Sequence, residues 1–121
     1  MDINALMAKI KAHPEYDKVG MVLYHNGVVR ESSRDGRPVN GLRVKVDPQK
    51  LEAVLTKYRQ RTGIVDIQVD IAADRDLKVG DDVMFLAVAG DIRENVLDTL
   101  RDTLNAIKLT VTEKTEFFVQ A

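Results

Sequence analysis

Ile3, Leu6, Met7 and Ile10 recur at helical spacing, so the chain opens with an amphipathic helix. Asp2 is placed to cap it, and Pro14 ends it because proline cannot continue the backbone ladder. The stretch from Val19 to Arg30 is rich in Val, Leu and Tyr and reads as a strand, with a candidate break at His25-Asn26-Gly27. Ser32 to Pro38 is a polar turn around Asp35-Gly36. Leu42, Val44 and Val46 then alternate, which predicts a second strand antiparallel to the first.

Asp47-Pro48 reads as a helix entry, since proline's missing N–H is not needed at the first helical position. Leu51, Val54, Leu55 and Tyr58 line one face of that helix, and Gly63 is the expected stop. Val65, Ile67, Val69 and Ile71 alternate as a third strand. Val79 to Asp82 is a turn, and Val83 to Ala89 is an apolar fourth strand. Asp91 is the expected cap of the next helix, with Glu94 completing a capping-box arrangement. Its buried stripe is predicted to be Ile92, Val96, Leu97, Leu100, Leu104 and Ile107, with Lys108 at its end. The tail from Leu109 to Val119 reads as one or two short strands. This order predicts a single α+β domain over residues 1–121, with a mainly antiparallel sheet and two long helices. Residues 1–14 form the short N-terminal helix and 109–121 the terminal strand segment.

Composition narrows the chemistry. A length of 121 residues suits one domain with a real core. A net charge of −1 gives no global basic signature for nucleic acid. With no cysteine, disulfides and thiolate sites are excluded, and two histidines argue against a histidine-rich metal centre. No apolar run approaches the roughly 20 residues of a membrane span, and the N-terminus has no secretion-signal pattern, so a cytoplasmic address is expected. The glycines match neither phosphate-loop nor dinucleotide spacing. Asp74, Asp76, Asp81 and Asp82 do not follow EF-hand spacing and read as a turn. His25 reads as a structural or surface residue, and His13 as a loop residue beside Pro14. Four cations remain of interest: Arg30, Arg93, Lys108 and Lys114. Arg93 lies in the first turn of a helix, where free N–H groups favour an anion. Taken singly, each reads first as a solvated surface residue. A regular strand over 108–114 would put both lysines on one face.

Gly20 to Arg30, closing with Gly27-Val28-Val29-Arg30, resembles the first strand of the MoaE family, the catalytic (large) subunit of molybdopterin synthase. Asn40-Gly41-Leu42 to Asp47-Pro48 is similar to the family's next strand and helix entry. Leu77-Lys78-Val79-Gly80-Asp81 resembles its Leu-x-x-Gly-Asp turn, and Ile107-Lys108 its Leu-Lys at the end of the long helix. The resemblance covers about Gly20 to Lys114 and rests on the order of these motifs. It implies an α/β hammerhead type of α+β fold.

It also implies an activity. Such enzymes move sulfur from the thiocarboxylated Gly-Gly tail of a ubiquitin-like small subunit to a cyclic pyranopterin monophosphate, making the molybdopterin dithiolene. They form a homodimer that binds the small subunit at each end. No metal or other cofactor is implied. By position, Lys108 and Lys114 match catalytic lysines, while Arg30 and Arg93 match substrate-binding arginines that hold the phosphate or pterin anion. Cations suit this chemistry, because the phosphate, the thiocarboxylate and the thioacyl transition state are all negative. The chain departs from the pattern in four places, one of them Ala72-Ala73-Asp74-Arg75 where the family has His-Arg-Ile-Gly before the Leu-x-x-Gly-Asp turn. Ile92 stands where the family has histidine, Leu109 to Glu113 lacks the family's proline and aromatic residues, and the tail is shorter. A MoaE-like binding or scaffold protein that has lost synthesis is therefore the alternative.

Overall fold

The computed structural model describes residues 1–120. The elements run α1 (Ile3–Lys11), a single 3-10 turn (Tyr16–Lys18), β1 (Met21–Val28), β2 (Val39–Val46), α2 (Pro48–Arg59), β3 (Ile64–Ile71), β4 (Asp76–Lys78), β5 (Asp82–Gly90), α3 (Arg93–Ala106), a π-helical turn (Ile107–Val111) and β6 (Thr112–Phe118). Asp2 accepts from the Asn4 N–H at 2.9 Å, and Asp47 accepts from Gln49 and Lys50 at 3.1 Å each, so two of the three predicted caps form as expected. Gly63 does adopt a positive φ of 80°, but in the loop after α2, which has already ended at Arg59. Ala121, the last residue of the expected terminal strand segment, lies outside the described residues.

The strands form two antiparallel sheets, ordered β1-β5-β3 and β4-β2-β6. The first two strands are therefore not a hairpin: β1 pairs with β5, while β2 pairs with β4 and β6. The connection between them explains the difference. The Val29 N–H donates to the Asp81 carbonyl and the Gly80 N–H to the Val29 carbonyl, both at 2.9 Å. The chain thereby follows the β4–β5 turn across to the second sheet. The candidate break at His25-Asn26-Gly27 is instead paired strand, with a register shift only at Gly27/Val28. β4 was hidden within the predicted turn region because its only apolar residue is Leu77.

β5 is the centre of the first sheet and is apolar on both faces. Met84, Leu86 and Val88 pack with α2, α3 and the π turn, while Phe85, Ala87 and Ala89 pack under α1. An unbroken apolar run is what a strand covered on both sides requires. The second sheet closes a smaller core of Leu42, Val44, Leu77, Val29 and Ala72.

α3 corrects two details of the sequence reading. Its cap position is Ile92, one residue later than expected, and Asp91 instead accepts from the Ile92 N–H at 2.6 Å and from Asn95 at 2.9 Å. Its fully buried face is Val96, Thr99, Thr103 and Ile107, with Leu100 and Leu104 at the margin. Ile92 and Leu97 are exposed, at 54% and 44%. Hydrophobicity alone misplaced this stripe because two of the buried positions are threonines.

Candidate functional site

A cleft of about 440 Å³ opens where the ends of the two sheets meet the C-terminal end of α3. Leu42 and Val44 of β2, Ile71 of β3, and Val83 and Met84 of β5 line it with apolar surface. Its polar rim is His25 of β1, Arg34 of the β1–β2 loop, Lys108 of the π turn, and Thr112 and Lys114 of β6. Three of these are cations and none of the lining residues is a carboxylate. Such a cleft suits an anion attached to an apolar or planar body.

The π turn places Lys108. Ile107 and Val111 are buried at its two ends, while Leu109 is 83% exposed between them. Thr110 donates to the Ala106 carbonyl at 2.7 Å and Thr112 to the Ile107 carbonyl at 3.4 Å, which holds the wide turn together. The Asp47 N–H bonds the Val111 carbonyl at 3.0 Å, tying the turn to the start of α2. Single π turns of this kind recur at functional sites because they re-aim side chains that a regular helix would direct elsewhere.

Residues 108–114 are thus not one regular strand, yet both lysines reach the cleft. Lys114 lies opposite Val44 and Thr112 opposite Val46, so both share the inward face of the second sheet. Glu116 lies on that face too, opposite Leu42, with a carboxylate oxygen 4.0 Å from the Lys114 Nζ.

Arg30 and Arg93 lie outside this cleft. Arg30 donates from Nε to the Ser32 carbonyl at 3.0 Å, at the base of the loop. Arg93 begins α3, whose 14 residues separate it from the Lys108 end. At a rise of 1.5 Å per residue that separation is roughly 20 Å. A single chain therefore brings Lys108 and Lys114 together, but neither arginine with them.

Two cleft residues escaped the sequence reading. His25 shares the α3-facing side of β1 with Leu23, an inward position that its alternation with Tyr24 and Asn26 signals only weakly. Burial lowers its basicity below the ordinary imidazole range, and the Lys108 charge acts in the same direction. Arg34 had no signal, because its place depends on how the loop is folded. Ser33 bonds the Asp35 carboxylate and accepts from the Arg37 N–H at 3.1 Å, and Arg37 closes on Asp35 at 2.9 Å. The Ser33 hydroxyl and Arg37 hold the Asp35 carboxyl below its ordinary range. Arg37 also stacks over the Phe118 ring at 3.9 Å, so the loop is anchored to β6. Among the described residues no ion pair uses Arg34 or Lys108. No group of metal-binding side chains occurs among them.

Two antiparallel sheets, with a cleft rimmed by cations at one end of the long helix, define an α+β protein. The chain belongs to the MoaE family, whose model, described as "MoaE protein", matches residues 1–110. Solved structures share the fold. Molybdopterin synthase from Staphylococcus aureus is 19% identical with a TM-score of 0.73, covering 88% of this chain and 85% of that one. Molybdopterin cofactor biosynthesis protein E from Burkholderia multivorans is 22% identical with a TM-score of 0.75, covering 98% and 81%. A complex of subunits 1 and 2 of molybdopterin-converting factor from Helicobacter pylori includes a chain 16% identical with a TM-score of 0.71, covering 99% and 85%. No curated protein matches the chain. Among the described residues no helix is long and apolar enough to cross a membrane.

Proposed function

We propose that this chain acts in molybdenum cofactor biosynthesis as the large subunit of molybdopterin synthase. It takes sulfur from the thiocarboxylated Gly-Gly tail of a ubiquitin-like small subunit and delivers it to a cyclic pyranopterin monophosphate. Family membership supports the pathway. The observation that carries the catalytic reading is the convergence of Lys108 and Lys114 on one cleft with no carboxylate in its lining. In this reading the apolar wall takes the pterin. Lys108 and Lys114 stabilise the charge that builds at the thioacyl carbon and act in proton transfer or as nucleophiles. Arg30 and Arg93, both outside the lining of the cleft in a single chain, are the residues assigned to the phosphate or pterin anion by their match to the family. Arg93 would have to come from a second copy of the chain, in keeping with a homodimer.

The test is to mix the protein with pyranopterin substrate and a thiocarboxylated cognate small subunit and to follow dithiolene formation. Lys108→Ala should slow turnover about 100-fold or more, the usual loss on removing one preorganised charge from a transition state. Absence of product with every cognate small subunit would refute the catalytic reading. A second reading, a binding or scaffold protein without synthesis, is favoured by Ile92 at the family's histidine position and by the distance of Arg93 from the cleft. Binding of the small subunit with no turnover would identify it.

A further inference from the structure

His25 lines the cleft but has no place in the chemistry above. It pairs across β1–β5 with Leu86, and so faces α3 and the π turn. Its Nε2 lies 3.5 Å from where a Cβ on Gly27 would sit, so the ring rests over a residue that has no side chain to displace it. Among the described residues neither ring nitrogen has a hydrogen-bond partner, although the ring lines the cleft beside Lys108.

We propose that His25 is a ligand-contacting residue of the cleft and that it takes up a proton when an anion binds between it and Lys108. The inference rests on the cleft being an anion site. The charged groups lining the cleft with His25 are Lys108 on the π turn, Lys114 on β6 and Arg34 on the loop. β5 presents the apolar Met84, Leu86 and Val88 on this face, and β3 beyond it Ile67, Val69 and Ile71. On α3, which also packs on β1, Asp98 pairs with Arg101, and Asp102 with Arg61 and Arg101. Burial and the Lys108 charge disfavour the protonated imidazole in the empty site, and no carboxylate lines the cleft to offset them. A neutral imidazole is then the best acceptor on a rim of donors, able to take an N–H or O–H of the ligand. A bound anion offsets the repulsion from Lys108 and attracts the imidazolium directly, which favours protonation against the burial that opposes it and adds a fourth positive group around the ligand. By linkage, anion affinity must then rise as pH falls through the imidazole range.

The probe is sulfate, which has no proton of its own to exchange from roughly pH 5 to 8, where the imidazole titrates. Ionic strength is held constant with sodium chloride. The histidine ring resonances are followed by NMR against pH, with and without saturating sulfate. His13→Gln, a loop substitution outside the cleft, assigns the His25 signals without altering the site. The His25 midpoint should rise by about half a pH unit or more, and sulfate should bind about threefold more tightly on the acid side than on the alkaline side. In His25→Gln that pH dependence should disappear while binding persists. Sulfate binding with an unmoved His25 midpoint overturns the inference and leaves the anion cleft standing. No sulfate binding at any pH overturns the anion cleft and the inference with it.

Discussion

Thr103 offers a direct measure of how well the core beneath the site is satisfied. It lies on the buried face of α3 at 0% exposure, one turn before Ile107 and the π turn. Its hydroxyl is the one buried side-chain polar atom without a hydrogen-bond partner among the described residues. Thr103→Val replaces that hydroxyl with a methyl of the same shape. An unpaired buried hydroxyl costs roughly 1–3 kcal/mol. Both residues are β-branched, so their helix propensities nearly cancel. The gain should sit at the low end, about 1 kcal/mol, because a helical hydroxyl can swing part-way towards a preceding carbonyl. For a chain of 121 residues, an unfolding entropy near 2.1 cal/mol/K per residue gives about 0.25 kcal/mol/K. One kcal/mol is then a rise of about 4 °C in Tm. Urea unfolding should show a higher midpoint at unchanged slope. Thr103→Ser, which keeps the hydroxyl and loses the methyl, should fall by about 1 kcal/mol instead. A Thr103→Val protein no more stable than the parent would refute the claim that this hydroxyl is unpaired.

Other outcomes follow from the same geometry. Gly41→Ala would place a Cβ 2.3 Å from the Leu77 carbonyl oxygen, a backbone atom that cannot swing aside. A loss of about 3 kcal/mol or more is expected by thermal melt, together with weaker sulfate binding, because β2 anchors the strand that carries Lys114. His25 has a folded basicity below its unfolded value, so its contribution is intact above the unfolded pKa near 6.5 and is lost as pH falls below it. Stability against urea should therefore drop between about pH 7 and pH 5 more steeply than in His25→Gln; parallel curves would refute this. β6 is an edge strand with Phe117 exposed on it and Val119 exposed just beyond it, and an uncovered edge invites pairing. Truncation after Glu116 should weaken a homodimer, and an unchanged mass by light scattering would count against that.

Local features were legible where chemistry and spacing act within a few residues. Asp2 and Asp47 cap because their carboxylates reach N–H groups two or three positions on. β5 declared itself because both of its faces are buried from Met84 to Ala89 and each of those positions had to be apolar. The motif order across Gly20 to Lys114 was enough to suggest the family that the match over residues 1–110 shows. Pairing partners were not legible, since alternation says that a strand has a buried face but not which strand lies beside it. The expectation that the second strand runs antiparallel beside the first failed for that reason, as the links from Val29 to Gly80 and Asp81 send the chain into a second sheet. The stripe of α3 was blurred because Thr99 and Thr103 are buried polar residues.

The cleft divides along the same line. The sequence by itself determined that Lys108 closes an amphipathic helix and that Lys114 follows it in an extended tail. Only the tertiary structure decided that a π turn and the register of β6 against β2 bring both to one cleft. It alone added His25 and Arg34, and left Arg30 and Arg93 outside the cleft of a single chain. The physical reason is that a side chain's direction is set by backbone geometry and strand register. Both arise from long-range hydrogen bonding that no short stretch of sequence records.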